Sequence, residues 1–133
     1  MEKLNIIIVD DNHAFRKGLR FFLEQECNCN VIAEARNGNE FLALENLHAA
    51  DIILMDIAMP EKGGYQTTIE ATFLNVNLRI IAVTAFEELA YVRLIIESGF
   101  KGCIFKDNIF DVIETALDDV MKNKYYIPEG IKL

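Results

Sequence analysis

Short apolar runs alternate along this chain with segments whose apolar residues recur every three or four positions. The runs are Leu4–Val9, Val31–Ala35, Ile52–Met55, Arg79–Val83 and Gly102–Phe105. They are rich in Ile and Val and mostly lack polar alternation, as parallel strands do when both faces are buried. Residues 13–26 place Phe15, Leu19, Phe22 and Leu23 on one helical face. Residues 39–48 do the same with Phe41, Leu44 and Leu47, and residues 64–74 form a weaker, Thr-rich helix. Residues 87–98 carry Leu89, Val92, Ile95 and Ile96 up to a helix stop at Gly99. Residues 109–122 carry Ile109, Val112, Ile113, Ala116, Leu117 and Val120, with Asn108 and Asp111 spaced as an N-cap pair. Gly18 interrupts the first helix, where glycine costs stability relative to alanine, and close packing against another helix is the simplest reason for it.

Five strand-helix units in strict alternation predict an α/β sandwich with right-handed crossovers. A length of 133 residues fits one domain, and a hydrophobic content of 52% predicts a folded globule. The formal net charge of −8 argues against direct binding of this domain to nucleic acid. No apolar run reaches the roughly 18 residues that cross a membrane. The opening MEKLNIIIVDD lacks a signal-peptide layout, so a cytoplasmic location is expected. Cys27, Cys29 and Cys103 form no disulfide framework, and the lone C-x-C has no second ligand pair for zinc. The tail from Tyr125 to Leu133, with Pro128 and Gly130, reads as a packed end or as the start of a linker.

In open α/β sheets function gathers at the carboxyl ends of the strands. The first run ends in Asp10 and Asp11, the third in Asp56, the fourth in Thr84 and the fifth in Lys106. The second, ending at Glu34 to Arg36, offers no comparable group. Taken singly, each of these residues has an ordinary explanation: a turn, a cap, a loop acid, a surface lysine. Together they describe a site. Carboxylates converging on one rim repel, and a divalent cation relieves that repulsion; hard oxygen donors suit Mg²⁺. A carboxylate can act as a nucleophile toward a phosphoryl group, giving an aspartyl phosphate. Lys106 can stabilise the transferred negative charge, and the Thr84 hydroxyl can donate to a phosphoryl oxygen.

The segments VDDNHAFRKGLRFFL, LMDIAMPEKGGYQ, VTAFEE and SGFKGCIFKD resemble the receiver domain of bacterial two-component response regulators. Their texture is closest to the LuxR-type (NarL/FixJ-like) subgroup. The resemblance implies a flavodoxin-like (βα)5 three-layer sandwich with parallel sheet order 2-1-3-4-5. It implies Asp56 as phosphoacceptor. Asp10 and Asp11 match the acidic metal-binding pair, with the Ala58 backbone carbonyl as a further ligand and Mg²⁺ (or Mn²⁺) as the ion. Thr84 matches the switch hydroxyl and Lys106 the phosphate-binding lysine. The implied role is a signalling switch, not a turnover enzyme. Its partners would be a sensor histidine kinase or phosphotransfer protein, with homodimerisation on phosphorylation. DNA would be reached only through an effector domain following a receiver of residues 1–124 and a tail of 125–133.

One departure concerns the output. Where the family usually carries an aromatic residue, three positions before the lysine, this chain has Cys103. Either neighbours such as Phe86 or Tyr91 carry that role, or Cys103 is simply a small buried residue. Phe86, two places after Thr84, is placed to hinder hydrolytic water. Phe21 lies off the core stripe of the first helix and is expected to be partly exposed, as a docking residue or against a neighbouring helix. His13 reads as a helix-start residue and His48 as an exposed one. Three rivals have specific requirements. A haloacid-dehalogenase-type phosphohydrolase needs a second acid where Ala58 stands. A flavodoxin-type domain needs a Ser/Thr/Gly-rich phosphate loop where Asp10-Asp11-Asn12 stands. A pseudo-receiver would bind partners without taking up phosphate.

Overall fold

A computed structural model describes residues 2–133. The elements are β1 (Leu4–Val9), α1 (His13–Glu26), β2 (Cys29–Ala35), α2 (Gly38–Leu42), β3 (Ile52–Asp56), α3 (Gly64–Leu74), β4 (Ile80–Thr84), α4 (Leu89–Glu97), β5 (Gly102–Phe105) and α5 (Ile109–Met121). All strand pairs are parallel and the sheet order is β2-β1-β3-β4-β5. This is the flavodoxin-like order expected from the resemblance.

The unbroken apolar runs are explained by two cores, one on each face of the sheet. Along β1, Ile6 and Ile8 join Leu19 and Leu23 of α1 and Ile113 and Leu117 of α5. Ile7 and Val9 point the other way, toward Phe41 of α2, Ala71 of α3 and Val92 and Ile95 of α4. Strand side chains alternate between faces, so only a strand covered on both sides stays apolar at every position. Gly99 adopts φ +105, which explains why α4 stops just before it.

Three local expectations are corrected. The helix expected over residues 39–48 ends at Leu42, and Leu47–Ala49 form a 3-10 turn instead. Apolar residues three apart satisfy either geometry, and the Asn46 side-chain Nδ2, donating to the Ile32 carbonyl, ties the intervening loop to β2. Asn108 stands at the N-cap position of α5, as expected, but its side chain makes no capping bond. Lys106–Asn108 form a 3-10 turn that runs straight into α5, and the Ile109 amide donates to the Lys106 carbonyl. A Cβ at Gly18 would meet nothing within 4 Å, so no neighbouring helix demands that glycine.

The tail packs along the open edge of β5. The Tyr126 amide donates to the Lys101 carbonyl at 3.2 Å, and the Cys103 amide donates to the Tyr126 carbonyl at 3.0 Å. Pro128 is buried beyond this pairing. Among the described residues no helix is long and apolar enough to cross a membrane.

Candidate functional site

The parallel sheet delivers β1, β3, β4 and β5 to one rim. Asp10 and Asp11 follow β1, Asp56 closes β3, Thr84 closes β4 and Lys106 follows β5. Asp10, Asp56 and Thr84 are buried, and Asp11 is exposed. Carboxylate oxygens of Asp10, Asp11 and Asp56 lie within 4.8 Å of one another. Among the described residues this is the one group of three or more His, Cys, Asp or Glu compact enough to hold a metal ion.

Each acid is held from several sides. The Asp10 amide donates to the Ala35 carbonyl at 3.0 Å, and Asp10 Oδ1 accepts from the Asn12 amide at 2.9 Å. Asn12 caps α1 by accepting from the Phe15 amide, so the acidic turn and the helix start form one unit. Asp10 Oδ2, buried, meets the Lys106 ammonium at 2.8 Å and no other donor among the described residues. The same ammonium lies 3.6 Å from Asp56 and 4.5 Å from the centre of the Phe15 ring. Close passage of the chain behind Asp56 requires glycine: a Cβ at Gly64 would lie 2.3 Å from the Asp56 carbonyl oxygen.

The electrostatics follow from this packing. Burial, then the charges of Asp10 and Asp11, push the Asp56 carboxyl up to about 6, against the opposing pull of Lys106 and the Ala58 amide. Burial disfavours the Lys106 charge. The hydrogen bond to Asp10 and the fields of Asp56, Asp10 and Asp11 outweigh it and hold the ammonium above its ordinary pKa. Three acids facing a single ammonium leave excess negative charge, and Asp10 Oδ2 retains acceptor capacity. The donor set is therefore suited to a hard divalent cation.

Thr84 engages the backbone just beyond β4. Its hydroxyl oxygen accepts from the Phe86 amide at 3.0 Å, and the Phe86 ring stacks on Tyr91 of α4 with centroids 5.1 Å apart. Cys103 is fully buried in the core beneath α4, and burial drives its thiol up to about 12, so it is an inert filler. Cys27 and Cys29 are free thiols, likewise raised by burial, to about 12 and 11. Phe21 is 67% exposed and His13 is exposed at the start of α1.

Sequence reasoning missed Arg16 and Glu34. Arg16 is buried, and its Nη1 donates to the Asp10 carbonyl at 2.6 Å while its Nε donates to Glu34 at 2.9 Å. The available signal was position: Arg16 lies three and seven residues before Leu19 and Leu23, on the apolar stripe of α1, and Glu34 interrupts an apolar strand.

Fold and site together define a parallel α/β module whose sheet carries a cluster of acids and a lysine on one rim. The chain matches the response regulator receiver domain over residues 6–118 and belongs to that family. It is 33% identical over 125 residues to the transcriptional regulatory protein LnrK of Bacillus subtilis (strain 168), covering 94% of this chain and 57% of that protein. A LuxR-family two-component response regulator from Aurantimonas sp. SI85-9A1 superposes with a TM-score of 0.90 at 25% identity, covering 98% of this chain and 93% of the other. The receiver domain of the putative response regulator NarL from Mycobacterium tuberculosis gives 0.84 at 29% identity, covering 93% and 100%. The chain spans about half the length of the curated relatives it matches.

Proposed function

We propose that Asp56 accepts a phosphoryl group from a phosphohistidine on a sensor kinase or phosphotransfer protein, and that its phosphorylation state is the signal. The observation that carries this is the cluster of Asp10, Asp11 and Asp56 within 4.8 Å, with the Lys106 ammonium between Asp10 and Asp56. Asp10, Asp11, Asp56 and the Ala58 carbonyl would hold Mg²⁺ or Mn²⁺, which when bound neutralises charge on the acids and on the incoming phosphoryl oxygens.

The chain's own groups do the rest. One Asp56 carboxylate oxygen attacks phosphorus as the bond from phosphorus to the donor imidazole breaks, and the acyl phosphate forms. Lys106 moves from the acids to the transferred oxygens, which offer its ammonium a new anionic partner. The Thr84 hydroxyl turns toward the phosphoryl group and gives up the Phe86 amide. That release disturbs the Phe86–Tyr91 stack and so the start of α4, supplying an output route where Cys103 has no ring to rotate. Attack of water on the acyl phosphate resets the switch.

Residues 1–124 would form the receiver, with 125–133 leading toward an effector domain, in a cytoplasmic transcription regulator that dimerises when phosphorylated. Two structures of the similar RcsB protein support this direction: its isolated receiver with the phosphomimetic BeF3⁻, and RcsB dimers bound to DNA. Intact-mass analysis after acetyl phosphate treatment tests the core claim. The expected result is a gain of one phosphoryl mass that needs Mg²⁺ and disappears in Asp56→Asn. No gain in the unaltered protein would identify a pseudo-receiver, and multiple turnover of small phosphate esters would favour a hydrolase.

A further inference from the structure

Arg16 and Glu34 lie outside the acidic cluster, yet Arg16 reaches its foundation with one arm and Glu34 with another. The Asp10 amide is fixed by Ala35, its Oδ1 by the Asn12 amide and its Oδ2 by Lys106. Its carbonyl lies past the end of the β1 ladder, and Arg16 Nη1 donates to it at 2.6 Å in a buried setting. That carbonyl belongs to the peptide joining Asp10 to Asp11. Its orientation therefore sets the direction in which the Asp11 carboxylate leaves the chain.

Arg16 is in turn braced. Its Nε donates to Glu34 Oε1 at 2.9 Å, and Arg20 Nη1 holds Glu34 Oε2 at 2.8 Å. His13 Nδ1 lies 3.3 Å from Arg16 Nη2. A bare guanidinium this close to a cation site would repel the cation. Glu34 offsets that charge, so the bracket can grip the carbonyl without opposing metal binding. A neutral donor could satisfy the carbonyl alone. It would not require an acid in β2, where Glu34 is half-buried between Ala33 and Ala35.

We propose that Arg16 and Glu34 are positioning residues for the metal site: Arg16 sets the Asp10–Asp11 peptide, and Glu34 orients Arg16 and cancels its charge. The inference rests on the metal reading of the acidic cluster. Groups that orient metal ligands commonly change affinity by about 10–100-fold when removed.

The test is Mn²⁺ titration followed by the free-ion electron paramagnetic resonance signal, alongside urea unfolding of each variant. Arg16→Lys, which cannot reach both Asp10 and Glu34 with one ammonium, should bind Mn²⁺ about 10-fold or more weakly. Glu34→Gln should also weaken binding, because it leaves the Arg16 charge uncancelled. Lys122→Gln, which removes a surface ion pair with Asp118 at the end of α5 and touches no part of the bracket, should bind as wild type does. Val120→Ala, a core truncation at the last turn of α5, controls for lost stability: it should unfold at lower urea and keep its Mn²⁺ affinity. Wild-type affinity in both Arg16→Lys and Glu34→Gln overturns the inference and leaves the metal reading standing. A fall in affinity that simply follows stability, Val120→Ala included, also overturns it. No Mn²⁺ binding by the wild-type protein overturns the metal reading and the inference with it.

Discussion

Asp56→Asn isolates the cost of keeping a buried negative charge beside two others. The Asp56 carboxyl titrates at about 6, against an ordinary value of 3.8. Because the folded value is the higher one, the group is protonated in both states at low pH and contributes nothing there. Between these values the folded chain holds a proton that the unfolded chain has released, so stability falls as pH rises. Above the folded value the cost is complete. The gap between these two values corresponds to roughly 3 kcal/mol. Asparagine keeps the size of the side chain and removes the charge, though its amide nitrogen can be left without a partner. That second effect does not depend on pH. The diagnostic quantity is therefore the difference between variant and wild type followed by urea denaturation from pH 4 to pH 8. The advantage of the Asp56→Asn variant should grow by about 2–3 kcal/mol across that range. Mg²⁺ at ten times its dissociation constant should then restore about 1.4 kcal/mol to the wild type and less to the variant. A difference that stays flat with pH, or equal stabilisation of both proteins by Mg²⁺, would refute the account of crowded acids.

Gly18→Ala should raise stability by about 0.5–1 kcal/mol in urea melts, since helix propensity improves and an added methyl meets nothing within 4 Å. Gly64→Ala should do the opposite, because its methyl would lie 2.3 Å from the Asp56 carbonyl oxygen; a loss of several kcal/mol, or a protein that folds but fails to take up phosphate from acetyl phosphate, is the expected outcome. Phe86→Ala should shorten the lifetime of phosphorylated Asp56 in a mass-spectrometric decay assay, as removal of a ring two residues beyond Thr84 opens the site to water. An unchanged decay rate would count against that role.

The fold was legible because its strands are buried on both faces. Ile6, Ile7, Ile8 and Val9 cannot belong to a sheet with a wet side, and alternation with helical stripes leaves few topologies. The acids, the lysine and the threonine were legible for a related reason: strand ends in a parallel sheet share a rim. For residues 39–48 and for Arg16 the governing interaction was not local. Residues 39–48 keep an apolar spacing that suits a long helix, yet a side chain bonded to β2 decides the loop. Asn108 is a residue type that caps helices, but it closes a 3-10 turn in which the Ile109 amide already donates to the Lys106 carbonyl. Arg16 was missed because a charge on an apolar stripe means little until Glu34 and the Asp10 carbonyl are placed around it.

Cys103 shows how far a single position constrains the output of such a site. A thiol held fully buried under α4 can neither rotate outward nor fill an aromatic pocket, so movement at Thr84 cannot be read by that residue. What remains attached to Thr84 is the Phe86 amide, and what remains attached to Phe86 is Tyr91. Both rings are partly exposed, so displacing them breaks one stacked pair without opening the core. A switch routed this way moves the surface of α4 at low cost. It also predicts a difference in kind from a buried rotor: the change should be largest at solvent-exposed positions near Leu89 and Tyr91, while the interior around Val92 and Ile95 stays packed. Hydrogen exchange of the phosphorylated and unphosphorylated protein reads this directly, and a loss of protection centred on Val92 and Ile95 would refute it.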